Sequence, residues 1–480
     1  MPDQSLSNVY KLYRATRCDP TSTINPEEQL AFYDAGLGSK ADPGDKRLRG
    51  LARRVHDLLA EGLGLGITRN IIDCYAAIIQ LWQPGDRIYL FGFSRGAYTV
   101  RCLGGVLKLC GVPTQMKNGA SLKRDLTSAE AIAKEAVKQV YQFGASIKGD
   151  PYRQDRLELA AHYRASYASG HIDSTKANAV PYLIGVWDTV AALGAGWSRL
   201  FALGVIGLVA IALFAWALKG LLLIPWFAAL IPAPLAWHIF VDLLIAISVG
   251  GVVAYLATHL KCAFGLSRPW YKTLHLTGWR MKFYDTDLDP DVSFARHAIS
   301  IDENRADFAR VPWTDHGQKH IDPNQPGPDW LQQIWFAGNH SDIGGSFAEN
   351  ESRLSDITLS WMIEQATRLP DPILVDRFYL KLWPSFDGPQ HDERKSAIAG
   401  LPKWVLRLLL CFLPQKSIGW EEGLRLIPRD APLHPSVLKR FNAGPVLQYD
   451  VTAVYRPEPL RNHNEVKQYY EPANGRPSDP

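Results

Sequence analysis

A serine hydroxyl becomes a nucleophile only when a neighbouring base takes its proton and an acid holds that base in place. Candidates for all three roles occur in this chain. Gly92-Phe93-Ser94-Arg95-Gly96 reads G-x-S-x-G, the pattern of a serine on a strained strand-to-helix turn, with flanking glycines where a side chain would strike backbone. The Arg95 amide, at the start of the helix that follows, would donate to an oxyanion. Asp188 ends the apolar run PYLIGVW and His340 follows LQQIWFAGN. Each is therefore expected at a strand end, in the order Ser, Asp, His. His297, in RHAISIDENR, is the alternative base, and Asp342, two residues past His340, is the alternative acid. Asp188 could instead cap a helix starting at Thr189, and Asp342, beside Gly344-Gly345, could cap a helix or hold its loop. A metal is a weaker reading, because His340 and Asp342 supply two ligands at most, without a nearby H-x-x-x-H or cysteine set. No metal and no cofactor is expected.

These groups need elements to hold them. Ile71, Ile72, Tyr75, Ile78, Ile79 and Trp82 recur at helical spacing before Pro84-Gly85-Asp86, which predicts a helix over 70–82 and then a turn. Ile88 to Phe91 is a short apolar run, and a helical pattern resumes from Arg95 to Cys110. With strand-like runs at 181–187 and 331–336 and a helical one at 354–366, the alternation predicts an α/β fold with a mostly parallel sheet. Residues 370–480 give no clear assignment beyond an apolar helix over 401–414, and the polar tail from Arg456 reads as loose. The net charge of +4 on 480 residues, without basic runs interleaved with aromatics, gives no reason to expect nucleic acid. Six cysteines form no CxxC pair and read as buried reduced thiols, as in a cytoplasmic protein.

Composition changes abruptly between Arg199 and Lys261. Every residue from Leu200 to Leu218 is apolar or Gly, and only Ser248 and Thr258 are polar between Leu243 and Thr258. Two spans of about 20 residues are expected, joined by a connection that Pro225, Pro232 and Pro234 interrupt. Both flanks belong to one domain, so the number of crossings must be even. Arg199, Lys261, Arg268 and Lys272 place those flanks in the cytoplasm. The competing reading is a buried hairpin or an apolar lid over a lipase cleft, and Asp242 favours it, since a carboxylate in hydrocarbon is costly. The expected organisation is a hydrolase domain over 1–198 and 261–385, an inserted hairpin over 199–260, and an accessory region over 386–480.

GFSRGAYTVR, GVWDTVAALG, RHAISIDENR and WFAGNHSDIGGSF, with SNVYKL upstream, together resemble the DUF2235 family, which includes catalytic domains of type VI secretion phospholipase effectors of the Tle1 type. The resemblance implies an α/β-hydrolase fold and a serine-dependent lipase or phospholipase, with the catalytic serine at Ser94 and the family's aspartate and histidine motifs at Asp188 and His340. It also implies a membrane lipid substrate and a secretion-system or immunity partner. The family usually opens with a strand ending in FDGT ahead of the SNV motif, and here only six residues precede Ser7. The expectation is therefore a start assigned too far downstream or a truncated relative. The sequence reads as an inner-membrane serine ester hydrolase facing the cytoplasm; the alternative is an inactive, membrane-anchored scaffold or partner protein.

Overall fold

The computed structural model describes residues 5–35, 65–144, 149–171, 175–190, 259–277, 287–306, 308–313, 328–393 and 422–470, with a few isolated positions between 249 and 257. Four strands form the central sheet: β1 (Ile88–Phe93), β2 (Pro181–Trp187), β5 (Phe294–Ser300) and β6 (Leu331–Phe336), paired in that order and all parallel. Between β2 and β5 in the chain, β3 (Leu260–Lys261) and β4 (His275–Leu276) make a separate antiparallel pair, and β7 (Val446–Gln448) and β8 (Val451–Ala453) make another. The central position of β2 explains its composition. Six of its seven residues are buried, as a parallel strand covered on both faces requires. β5 is equally buried but carries Arg296 and His297, which hid it from a search for apolar runs.

Helices cover both faces. On one side, the helix Leu65–Leu81 sends Ile67, Ile71, Ile72, Tyr75 and Ile79 into a core shared with the helix Arg95–Cys110 and with Ile132, Val137 and Tyr163. On the other, Leu12, Leu359 and Met362 pack against Leu183, Trp187, Ala298 and Phe336. The helix expected over 70–82 begins five residues earlier, and the one expected over 354–366 runs from Arg353 to Thr367.

The chain past residue 422 closes the far side of the sheet. Trp335 donates its N–H to Pro432 O at 3.0 Å and accepts from the His434 N–H at 2.9 Å. Phe441, Tyr455, Leu460 and Val466 are buried around Trp335. The tail from Arg456 is therefore anchored through Tyr470, because its widely spaced apolar residues reach a core contributed by distant strands. Of the cysteines, Cys102 and Cys110 are buried, Cys18 and Cys74 half-buried and Cys262 exposed, so the expectation of uniformly buried thiols fails at Cys262. Cys411, the helix expected over 401–414 and nearly all of the apolar block at 199–260 lie outside the described residues. Among the described residues, no helix is long and apolar enough to cross a membrane.

The N-terminal helix Asn8–Thr16 ties the sheet to the loop after β6. Asn8 Nδ2 donates to Ile343 O (2.9 Å), Ser355 O (3.0 Å) and Thr358 Oγ1 (3.0 Å), all buried. Lys11 sits between Glu349 and Asp356, at 3.0 Å from each. Asn8→Ala removes these buried hydrogen bonds, and we expect a loss of about 1–3 kcal/mol, read as a lower urea midpoint with an unchanged m-value. A midpoint equal to the parent's would mean that the helix does not hold the loop.

Candidate active site

Ser94 occupies the single residue between β1 and the helix Arg95–Cys110, with φ 58° and ψ −122°. Few residues other than glycine hold this conformation, and the strain turns the side chain outward at the sheet's carboxyl edge. Two bonds fix the turn: the Ser94 N–H donates to Trp187 O at 3.1 Å, and Ser94 O accepts from the Tyr98 N–H at 3.2 Å. The two glycines of the motif are unequal. A Cβ on Gly92 would stand 2.4 Å from Gly96 O, whereas a Cβ on Gly96 would meet nothing within 4 Å. The expectation that both glycines avoid a collision therefore holds only for Gly92. Arg95 is the first residue of the helix, at its positive end.

One strand over, Asp188 follows β2 with φ 36°. Its N–H donates to Ala298 O at 2.8 Å, and its carboxylate is fully buried. Oδ2 lies 2.7 Å from His340 Nδ1, while Oδ1 accepts from the Ser300 N–H at 3.1 Å. Arg425 grips the same carboxylate, Nη1 to Oδ1 at 3.2 Å and Nη2 to Oδ2 at 2.8 Å. Burial, the largest influence, would raise its pKa. Arg425 and His340 together outweigh it and hold the carboxyl below the usual carboxylate range. Among the described residues, the side chain caps no helix.

His340 opens the short helix His340–Gly344 after β6. Gly338, at φ 120°, is required there, since its Cβ would approach Asp342 Cβ to 2.5 Å. The His340 N–H donates to Glu303 Oε2 at 3.1 Å. The ring lies between Phe93 (4.6 Å between centroids) and Phe308 (5.3 Å), so the residue before Ser94 packs on the imidazole. With Nδ1 on Asp188, Nε2 is buried and has no hydrogen-bond partner among the described residues.

The alternatives sit elsewhere. His297 lies within β5, where its Nε2 accepts from the Thr189 N–H at 3.2 Å. Burial, followed by Arg101, pushes its pKa down to about 3. It is a neutral core residue. Asp342 completes a capping box with Asn339 and holds His391 through Nδ1 (2.7 Å) and N–H (3.1 Å), so it fastens the histidine loop to the strap at 391. No group of three or more potential metal ligands occurs among the described residues. A cavity of about 2000 Å³ opens beside the elbow, lined by Ser94 and Arg95, by the whole of β1, and by Leu12, Phe32, Ile78 and Leu103.

Sequence reasoning missed Glu303 and Arg425. Glu303 stands just past the end of β5, and the strand-end logic that found Asp188 would have found it had β5 been recognised. Arg425 has no such signal.

The parallel α/β sheet thus carries a serine elbow after β1 and a bonded Asp188–His340 pair after β2 and β6, while His340 Nε2 makes no hydrogen bond to Ser94. The chain belongs to the family of type VI secretion phospholipase effectors, Tle1-like, catalytic domain, whose model matches residues 2–209 and 262–365. The interval between the matched stretches falls in the apolar block, and Arg425 lies beyond them. An uncharacterised protein of Saccharomyces cerevisiae, YEL023C, is 32% identical over 111 residues, which is 23% of this chain and 16% of the yeast protein. The chain thus covers only a small part of that relative. The crystal structure of an uncharacterised protein from Pseudomonas aeruginosa aligns over 80% of this chain and 45% of that one, at 14% identity and a TM-score of 0.27.

The two glycines give a test of the elbow. Gly92→Ala forces backbone apart and should abolish ester hydrolysis or folding, while Gly96→Ala, facing open space, should stay within a few-fold of parental activity. Equal tolerance of both would contradict the turn geometry.

Proposed function

We propose that the chain is a serine hydrolase of lipid esters in which Ser94, His340 and Asp188 act as one unit. The observation that carries the reading is the orientation of His340: Nδ1 is committed to a buried carboxylate at 2.7 Å, Nε2 has no partner among the described residues, and the ring packs on Phe93, next to Ser94. His340 Nε2 takes the Ser94 hydroxyl proton as Oγ attacks the acyl carbonyl carbon. The carbonyl oxygen gains charge and turns toward the Arg95 amide. Collapse of the tetrahedral intermediate expels the alcohol, which receives the proton from Nε2. Water, deprotonated by His340 in its turn, then releases the fatty acid from Ser94. Asp188 stays ionised throughout and stabilises the imidazolium. Family membership supports a phospholipid substrate.

Ser94→Ala should lower release of fatty acid from phospholipid vesicles by about a thousandfold or more with folding intact, and adding His340→Ala should cost little further. Hydrolysis at the parental rate by Ser94→Ala would sink the assignment. The reading also places the enzyme at a membrane, with the apolar block over 199–260 as its anchor and both flanks on the cytoplasmic side. The full chain should then stay in the membrane fraction through a carbonate wash; recovery in the soluble fraction without detergent would favour a lid.

A further inference from the structure

Arg425 comes from a part of the chain that the family model does not match, yet it makes the two-pronged contact on Asp188. We propose that Arg425 is a positioning residue whose guanidinium fork fixes the plane of the Asp188 carboxylate against His340 and sets the acid limit of hydrolysis. This rests on the reading of Ser94, His340 and Asp188 as one unit.

The geometry is specific. Oδ2 is shared by His340 Nδ1 and Arg425 Nη2, Oδ1 by the Ser300 N–H and Arg425 Nη1. A planar fork on both oxygens permits one rotation of the carboxylate, whereas His340 and Ser300 alone would hold each oxygen by a single bond. The backbone that delivers Arg425 is itself fixed. The Glu422 backbone pairs with that of Arg305 in an isolated antiparallel bridge, the Gly423 N–H donates to Asn304 O at 2.9 Å, and a Cβ on Gly423 would stand 2.7 Å from Ala306 Cα. The segment therefore lies flush on the loop that follows β5. Leu424 and Leu426 face outward, 54% and 91% exposed, while Arg425 is 8% exposed. This inverts the usual sorting of leucine and arginine, so the inward position is selected by charge and shape.

The sign of the effect follows from the charges around Asp188. Arg425 and His340 touch it, Arg310 and His297 lie within its field, and Glu303 accepts from the His340 backbone. The active form needs Asp188 ionised and His340 neutral. Removing the guanidinium charge lets the carboxyl keep its proton to higher pH, and it also lets an uncompensated Asp188 stabilise the imidazolium more strongly. The second change moves the acid limb of the kcat/KM profile upward. Loss of packing alone would scale activity at every pH without moving the limb.

The experiment compares the full chain with Arg425→Gln and Arg425→Lys, following hydrolysis of a soluble short-chain ester across the acid limb, with Ser94→Ala alongside. Gln should raise the limb by about one pH unit. Lys, which keeps the charge but lacks the fork, should leave the limb near the parent's and lower kcat several-fold. An unmoved limb in Gln overturns the proposal. If Gln does not fold, as judged by circular dichroism, Lys decides: several-fold lower kcat with the parental limb supports the proposal, and parental kcat overturns it. An active Ser94→Ala would overturn the catalytic reading and this inference with it. An inactive Ser94→Ala beside an unmoved Gln limb removes only the role of Arg425.

Discussion

Asp188 places a full negative charge where no water reaches it, and the architecture around it follows from that cost. An isolated carboxylate in such surroundings would take up a proton. Here three partners from three distant stretches converge on it: the Ser300 N–H at the end of β5, His340 after β6, and Arg425 from the C-terminal region. Each approach depends on the parallel register that sets Phe93 beside Trp187, Trp187 beside Ala298 and Ser300 beside Phe336. A slip of one residue in any of these pairs would turn the following side chain to the opposite face and leave the charge unpaired. The sheet and the ion cluster thus enforce one another.

A second layer of polar contacts supports this arrangement. Glu303 receives the His340 N–H and is itself held by Arg305, with Nε to Oε1 at 2.7 Å and Nη2 to Oε2 at 2.9 Å. Asp342 caps the histidine helix and secures it to the strap at His391. Asp302, whose carboxyl burial pushes up to about 6, accepts from the Gly338 N–H (2.7 Å) and the Tyr455 hydroxyl (2.8 Å). Such networks are costly unless every member is satisfied. The loop before His340 is accordingly well bonded, with Gly338 O accepting from the Ser300 hydroxyl and the Asp302 N–H, and Asn339 Nδ2 donating to His391 O, although it is not part of a strand or a long helix.

What the sequence disclosed, and what it withheld, follows from how local each signal is. The strand, Ser94 and the helix after it are contiguous, and Gly92 marks the turn within five residues, so the elbow was legible. The strand-end positions of Asp188 and His340 were legible because each follows an apolar strand, a short-range pattern that tracks burial on both faces. The strand β5 escaped because Arg296 and His297, both buried, break its apolar run. Asp342 resembled an acid of the site because proximity in sequence to His340 cannot distinguish a capping carboxylate from one that faces the ring. Arg425 was invisible for the plainest reason. Its partner lies 237 residues away, and nothing between Leu424 and Leu426 announces an arginine that turns inward.

Those separations have a consequence for the chain as it is made. Asn8 waits for Ser355, Asp188 waits for His340, and Arg425 emerges only after most of the polypeptide has left the ribosome. Contacts this far apart in sequence form late, once loop-closure entropy has been overcome. A nascent chain carries Ser94 and Asp188 well before His340, and His340 well before Arg425. The cluster around Asp188 is therefore a property of the finished polypeptide, closed only when its last contributor has been made.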